Sequence, residues 1–429
     1  MSRIRVCTVV VLIAAATALG SVIQVGPRLY EVTESRVNTT TSNTQQYPAI
    51  GLLTDGTYIV GWESWFQGLH GADCFGQRFS AAGAPLGSEL LLNPYNNSGW
   101  EYGPEFGPLP GGGFAVVWGD SSSHVCVQLF DDSMNPIGSD SVVAYNNVWP
   151  TISSAPSGDF VVAGGRALYS GNMVFARRYN SSGVAYGPVW QVNTDPIGFS
   201  QYAECLSSVA HAPDGRFLIA WFHGGGDIRA QLYDASGGAL SGEFTVNSST
   251  GGARRYPTVE FTSSSDFVIA WEGYGQGDED GIFARAFSAD GLALCDEWRV
   301  NQVTSGAQSV PQLGASPTGE FVISWSAQSD DGSDIFARLF AAAADPIGDE
   351  FQVNQFSAGD QFTRHFGGRA SAAIGGDTLL LSWYGNTPGD TEGIGLTQFR
   401  YAGEIPEPAT AAVFGIAVAA VLRRKRRRT

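Results

Sequence analysis

A phrase of seventeen residues recurs along this chain about every 53 residues, and no other feature restricts its fold as tightly. "PAIGLLTDGTYIVGWES" from Pro48 is answered by "PEFGPLPGGGFAVVWGD" from Pro104 and "PTISSAPSGDFVVAGGR" from Pro150. "SVAHAPDGRFLIAWFHG" from Ser208, "PTVEFTSSSDFVIAWEG" from Pro257 and "PQLGASPTGEFVISWSA" from Pro311 follow. A worn seventh copy, "ASAAIGGDTLLLSWYGN", starts at Ala370. After each phrase come a loop and a segment such as "IFARAFSADG", and the better-kept copies close on "EFTVN", "EWRVN" or "EFQVN". Asn38, Asn93, Asn193, Asn247, Asn301 and Asn354 mark the period. A unit this short cannot bury its apolar face alone, so its neighbours must do so.

Each unit reads as four strands. Stretches such as Tyr58-Ile59-Val60-Gly61-Trp62 and Phe267-Val268-Ile269-Ala270-Trp271 are β-branched and aromatic, and turn residues precede them. No helical period runs through the body. Four-stranded units repeated seven times predict an all-β chain, a seven-bladed β-propeller over residues 29–403. Separate β-sandwiches would not share one continuous period. The last copy has strands at 370–375, 378–384 and 394–401 and lacks a fourth. "LYEVTESRVN", Leu29 to Asn38, is a fourth strand with no blade of its own. It is expected to complete the seventh blade and remove an open sheet edge, leaving 21–27 outside the strand.

Trp62, Trp118, Trp221, Trp271, Trp325 and Trp383 share one position, which Gly164 takes in the third copy. A large aromatic repeated in this way is expected to pack between blades rather than bind a ligand. Gln77, Gln128, Arg177, Gln231, Arg285, Arg338 and Gln398 share another position, where structural hydrogen bonding is expected.

The whole chain carries a charge of −17, and eight basic residues lie near its two ends. Setting them aside leaves a body at −25, which repels nucleic acid and anionic membranes. Cys74, Cys126, Cys205 and Cys295 fall at different points of the repeat and read as small buried hydrophobes rather than a metal or redox site. His70, His124, His211, His223 and His365 show no metal-binding spacing, and no nucleophile elbow is present.

Both ends read as addresses. Arg3 and Arg5 precede the apolar stretch Val6 to Ala18, and small residues follow, which is the layout of a secretory signal peptide over residues 1–20. At the other end, Pro406-Glu407-Pro408 precedes an apolar run from Ala409 to Leu422 and six basic residues from Arg423 to Arg428. Fourteen residues make a helix of roughly 21 Å, short of the ~30 Å hydrocarbon core, so a transient anchor is expected. These parts, in this order over 404–429, resemble the PEP-CTERM sorting signal of bacterial surface proteins. The resemblance implies a short transmembrane helix and processing by an exosortase-type membrane protease. It also implies export to the cell surface or extracellular matrix of organisms that make exopolysaccharide.

Strand alternation sorts the loops onto two faces. Short turns such as Thr54-Asp55-Gly56 share one face. The second-to-third loops and the blade crossovers share the other, and they differ between copies, which is where binding usually resides. The expected role is noncatalytic binding or support, toward polysaccharide or another surface protein. The alternative is a secreted glycosidase or lyase working from the loop face. On that face Asp278 and Asp280 of blade 5 and Asp330, Asp331 and Asp334 of blade 6 form acidic runs beside glycine, with Asp390 and Glu392 in blade 7. Such carboxylates suit calcium, although the EF-hand spacing is absent.

Overall fold

The computed structural model describes residues 21–405, apart from 69–70, 95–98, 146, 167–172, 195–205, 263–264, 330–331 and 364–370. Seven antiparallel sheets close into a β-propeller. Blade 1 comprises Gln45–Leu52, Tyr58–Trp65, Ala72–Phe79 and Pro85–Leu91. Blade 5 shows the commoner form, with Arg254–Phe261, Phe267–Gly275, Asp278–Phe287 and a fourth strand of two residues, Trp298–Arg299. The first strand of each blade is innermost, and these inner strands neighbour one another around the axis. Among the described residues no helix is long and apolar enough to cross a membrane. Pro406, Glu407 and Pro408 lie outside the described residues, as do both terminal address segments.

Blade 7 is assembled from both ends of the chain. Arg28–Arg36 pairs antiparallel with Asp390–Glu404, from Arg28↔Glu404 to Arg36↔Gly395. The expected closing strand is therefore present, and Asn38 also joins blade 7, accepting from Ile394 N–H at 2.8 Å. One expectation is corrected. Ser21–Val25 is not outside the sheet but forms a further strand, paired from Ser21↔Val32 to Val25↔Arg28. Its hairpin turns at Gly26, whose φ is +57°. A Cβ there would lie 1.8 Å from the Ile347 carbonyl oxygen of blade 6. Only glycine tolerates both that conformation and that approach.

The repeat marks have structural roles. The Oδ1 of each repeat Asn accepts the N–H of Cys74, Val174, Ile228, Ile282, Ile335 or Ile394 on the third strand, at 2.7–2.9 Å. It thereby pins the chain as it leaves the fourth strand. The glutamate of the closing phrase clasps the preceding blade. Glu350 accepts the N–H groups of Gln302 and Val303, Glu297 those of Ser248 and Ser249, and Glu34 those of Gln355 and Phe356. The third-strand arginines also reach the preceding blade: Arg177, Arg285 and Arg338 donate to the carbonyls of Val143, Val246 and Val300 at 3.0–3.2 Å.

The core lies between blades. All six repeated tryptophans are fully buried, at most 1% exposed. Trp271 packs among Leu218, Ala220, Ile228 and Leu232 of blade 4. Trp62 packs among Ala373, Leu380, Ile394 and Leu396 of blade 7. Cys74 and Cys126 are buried in one cluster between blades 1 and 2. Cys295 departs from the expectation and is exposed, because it lies on the outer return before the fourth strand, where no further layer covers it.

Candidate functional site

The inner strands break their regular ladder at the proline that opens the repeat. In blades 1, 2, 3, 5 and 6 the register slips between Gln46 and Ala49, Tyr102 and Glu105, Val148 and Thr151, Arg255 and Thr258, and Ser309 and Gln312. Two residues there oppose one, which is a β-bulge. The residue before proline takes a left-handed conformation: Tyr47, Gly103, Trp149, Tyr256 and Val310 have φ of +50° to +64°. For a non-glycine residue this costs of order 1–3 kcal/mol. Strain held at the same point of blade after blade re-aims the side chain before it and collects aromatic rings at one mouth of the central channel.

Several of these rings meet. Tyr47 of blade 1 and Trp149 of blade 3 lie 6.2 Å apart, edge to face. Blades 1 and 3 are not neighbours, so this contact bridges the mouth. Tyr102 of blade 2 lies 5.0 Å from Trp149, and Tyr384 of blade 7 lies 5.7 Å from Tyr47. Phe362 extends the group at 5.6 Å from Tyr384. All five rings are half-buried, so each keeps some surface toward solvent. Gly119 makes room for one of them, since a Cβ there would come within 2.5 Å of the Tyr102 ring.

In blades 5 and 6 the residue after the repeated tryptophan reaches the inner side of the next blade. Glu272 Oε2 accepts the Val310 N–H at 2.7 Å, and Ser326 Oγ accepts the Thr363 N–H at 2.8 Å. Glu63 accepts from Gln46 Nε2 at 2.8 Å and from Trp65 Nε1 at 2.6 Å. Burial pushes the Glu272 carboxyl up to about 7, against the opposing pull of the Val310 N–H and Arg255. Burial likewise raises the Tyr384 hydroxyl, with Tyr47 and Glu63 adding to it.

Two grooves lie on the loop face. One of 660 Å³ lies between the second-to-third hairpin of blade 5 and the crossover into blade 6, lined by Tyr274, Asp278, Asp280 and Thr304. A second, of 380 Å³, repeats the arrangement one blade on, between Ser309, Ser326, Ser333 and Asp360. The hairpin loops and crossovers therefore share a face, and the grooves are on it.

The acidic runs are divided by the structure. Asp278 Oδ2 accepts from Asn301 Nδ2 at 2.9 Å, and its Oδ1 accepts the Asp280 N–H. Asp334 accepts from Asn354 at 2.7 Å, and Asp390 from Asn38 at 2.8 Å. These carboxylates complete the Asn clasps of their blades. Asp280 is exposed on the rim of the larger groove, while Asp330 and Asp331 lie outside the described residues. Among the described residues no group of three or more His, Cys, Asp or Glu side chains has the arrangement of a metal site. His124 pairs with Asp120 at 3.0 Å, and His70 and His365 lie outside the described residues.

The loop face was singled out from the sequence, but the axial rings were not. The signal was present as "YP", "YGP", "WP" and "YP" at 47–48, 102–104, 149–150 and 256–257. A repeat counted from the proline cuts off the residue that carries the ring.

No family model matches this sequence, and no curated protein matches it. Solved structures do. A protein of unknown function from Dyadobacter fermentans aligns at 11% identity with a TM-score of 0.53, covering 86% of this chain and 99% of its own. A polysaccharide lyase of family PL25, an ulvan lyase bound to a glucuronate–sulfated rhamnose unit, aligns at 8% identity with a TM-score of 0.51, covering 84% and 95%. The β-propeller domain of the Trilobed protease from Pyrococcus furiosus, described as an open velcro topology, aligns at 6% identity with a TM-score of 0.47, covering 85% and 95%. At these identities the likeness shows the propeller fold and nothing finer.

Proposed function

We propose that this chain is an exported surface or matrix propeller that binds neutral polysaccharide noncatalytically at the axial mouth of its loop face. The carrying observation is the bridged ring cluster Tyr47–Trp149–Tyr102, held half-exposed by bulges whose strain the fold tolerates in several blades. Flat rings with one face toward solvent, flanked by polar groups, are the usual lining of a small-ligand cleft. The acidic body disfavours polyanions, leaving neutral chains as the better partner. The ulvan lyase shows that the same fold can hold a sugar chain, but its ligand and reaction remain its own. An enzymatic reading has one favourable group, Glu272, yet that carboxylate is already committed to the Val310 N–H.

A glycan array with the purified protein tests the reading. Trp149→Ala is expected to weaken binding of any neutral glycan hit by about tenfold or more, equivalent to ~1.4 kcal/mol, while the melting temperature stays near that of the parent. Retained affinity would move the site away from the mouth.

The tail carries the export part of the proposal. Exosortase-type processing predicts that protein recovered from the cell surface lacks the residues after Pro408. An intact mass that includes Thr429 would count against it.

A further inference from the structure

In blades 1, 5, 6 and 7 the position that opens the inner strand belongs to a hydrogen-bond donor. Gln45, Gln308 and Gln361 each follow a repeat Asn by seven residues and accept its Nδ2 at 3.0–3.2 Å. Their own Nε2 groups donate to crossover carbonyls, those of Asn43, Gly306 and Ala358, at 2.9–3.0 Å. Arg254 does the same work in blade 5, donating to the Ser249 and Gly226 carbonyls at 2.7 and 3.2 Å. In blade 2 the same register position, opposite Asp120 on the second strand, holds Glu101.

An ionised glutamate donates nothing. Glu101 is fully buried, and neither of its carboxyl oxygens has a hydrogen-bond partner. It lies at the seam with blade 1, where Ala72 and Trp100 bridge the two sheets, and the acidic group acting on it most strongly is Asp73 of that blade. Asp73 is 2% exposed; its Oδ1 accepts from Asn93 Nδ2 at 3.0 Å, and its Oδ2 is buried without a partner. The other titratable groups facing Glu101 are Asp120 on the second strand and Asp140 on the fourth. Asp120 is itself occupied by His124 Nδ1 at 3.0 Å and by two backbone N–H groups.

We propose that Glu101 and Asp73 share one proton across the seam of blades 1 and 2, and that this pair is a pH-sensitive latch on the strand that carries Tyr102 into the axial mouth. One proton satisfies two of these three orphaned oxygens, because the Glu101 O–H then donates to Asp73 Oδ2. Without it, two buried carboxylates repel each other where the equivalent positions of blades 1, 5, 6 and 7 hold a donor. Burial, then Asp73 and Asp120, pushes the Glu101 carboxyl up to about 8. The sign follows from that direction. A carboxyl raised above its ordinary value of about 4.3 stabilises the fold fully below that value. The contribution is lost as pH rises toward and through 8. The latch does not depend on the identity of any ligand.

The test compares melting temperatures of the full chain and of Glu101→Gln from pH 5 to pH 9.5. The variant restores the side chain used at the equivalent positions. It is expected to match the parent at pH 5 and to exceed it by several degrees at pH 9. Differencing against the variant removes the contribution of Glu272, which titrates in the same range. Asp73→Asn is the second arm and should move the step to lower pH. Infrared difference spectra at pH 6.5 should show a carboxylic-acid carbonyl band in the parent that Glu101→Gln lacks. Parallel melting profiles, or no such band lost, would overturn the assignment.

Discussion

Deleting residues 21–36 is expected to abolish cooperative folding. Arg28–Arg36 is paired along its whole length with Asp390–Glu404, so its loss exposes a long strand edge in the blade built from both ends of the described chain. The deletion also opens the seam with blade 6. Val25, Tyr30 and Val32 are buried in one cluster with Val322, Ile335, Leu339 and Val353. Each such side chain contributes roughly 1.5–3 kcal/mol when fully buried, and a domain commands only about 5–15 kcal/mol in total. Arg28 adds a two-pronged ion pair to Glu320 of blade 6, at 2.6 and 3.1 Å. Half-exposed as it is, that pair counts for less than the apolar contacts. A shorter deletion, 21–27, is also expected to cost stability, because Val25 is buried in this cluster and Ile23 packs against it. Denaturant unfolding with light scattering separates the outcomes. A 21–36 deletion that unfolds like the parent would remove the closing strand from the account.

The legible and illegible parts of this molecule divide along physical lines. The Trp position was legible because the same burial environment recurs between blades and selects the same residue each time. Closure was legible because strands can be counted against blades. The Ser21–Val25 strand was not, since a single added edge strand has no counterpart elsewhere in the repeat to compare with. The axial rings were hidden for a different reason. Tyr47, Trp149 and Tyr256 sit in a backbone conformation that their own side chains disfavour, so local propensity points away from it. What holds them there is non-local, as when Glu272 of blade 5 accepts the N–H of Val310 in blade 6. Glu101 was illegible as a special residue until the register placed it among Gln45, Gln308 and Gln361. In the sequence its spacing from the repeat Asn is eight residues rather than seven.

Trp271→Ala is expected to lose about 3–5 kcal/mol, the usual cost of truncating a large buried aromatic. Trp271 is 0% exposed and fills the seam between blades 4 and 5, touching no groove and no surface. Its removal leaves a cavity that two rigid sheets cannot collapse to fill, so relaxation recovers little of the loss. Trp271→Phe separates the ring's volume from its polar group. The indole Nε1 of Trp271 is buried without a partner, as are those of Trp62, Trp118 and Trp221, whereas Trp383 donates to Thr397 Oγ1 at 3.2 Å. At position 271 the smaller ring sacrifices volume but also removes an unsatisfied donor, so its cost should be well below that of alanine. At position 383 the same exchange should cost more, because a hydrogen bond goes with the volume and Thr397 is left buried. Denaturant midpoints for the two Phe variants test that ordering directly. If Trp271→Ala kept the parental midpoint and lost glycan binding instead, the repeated tryptophans would belong to the site and not to the core.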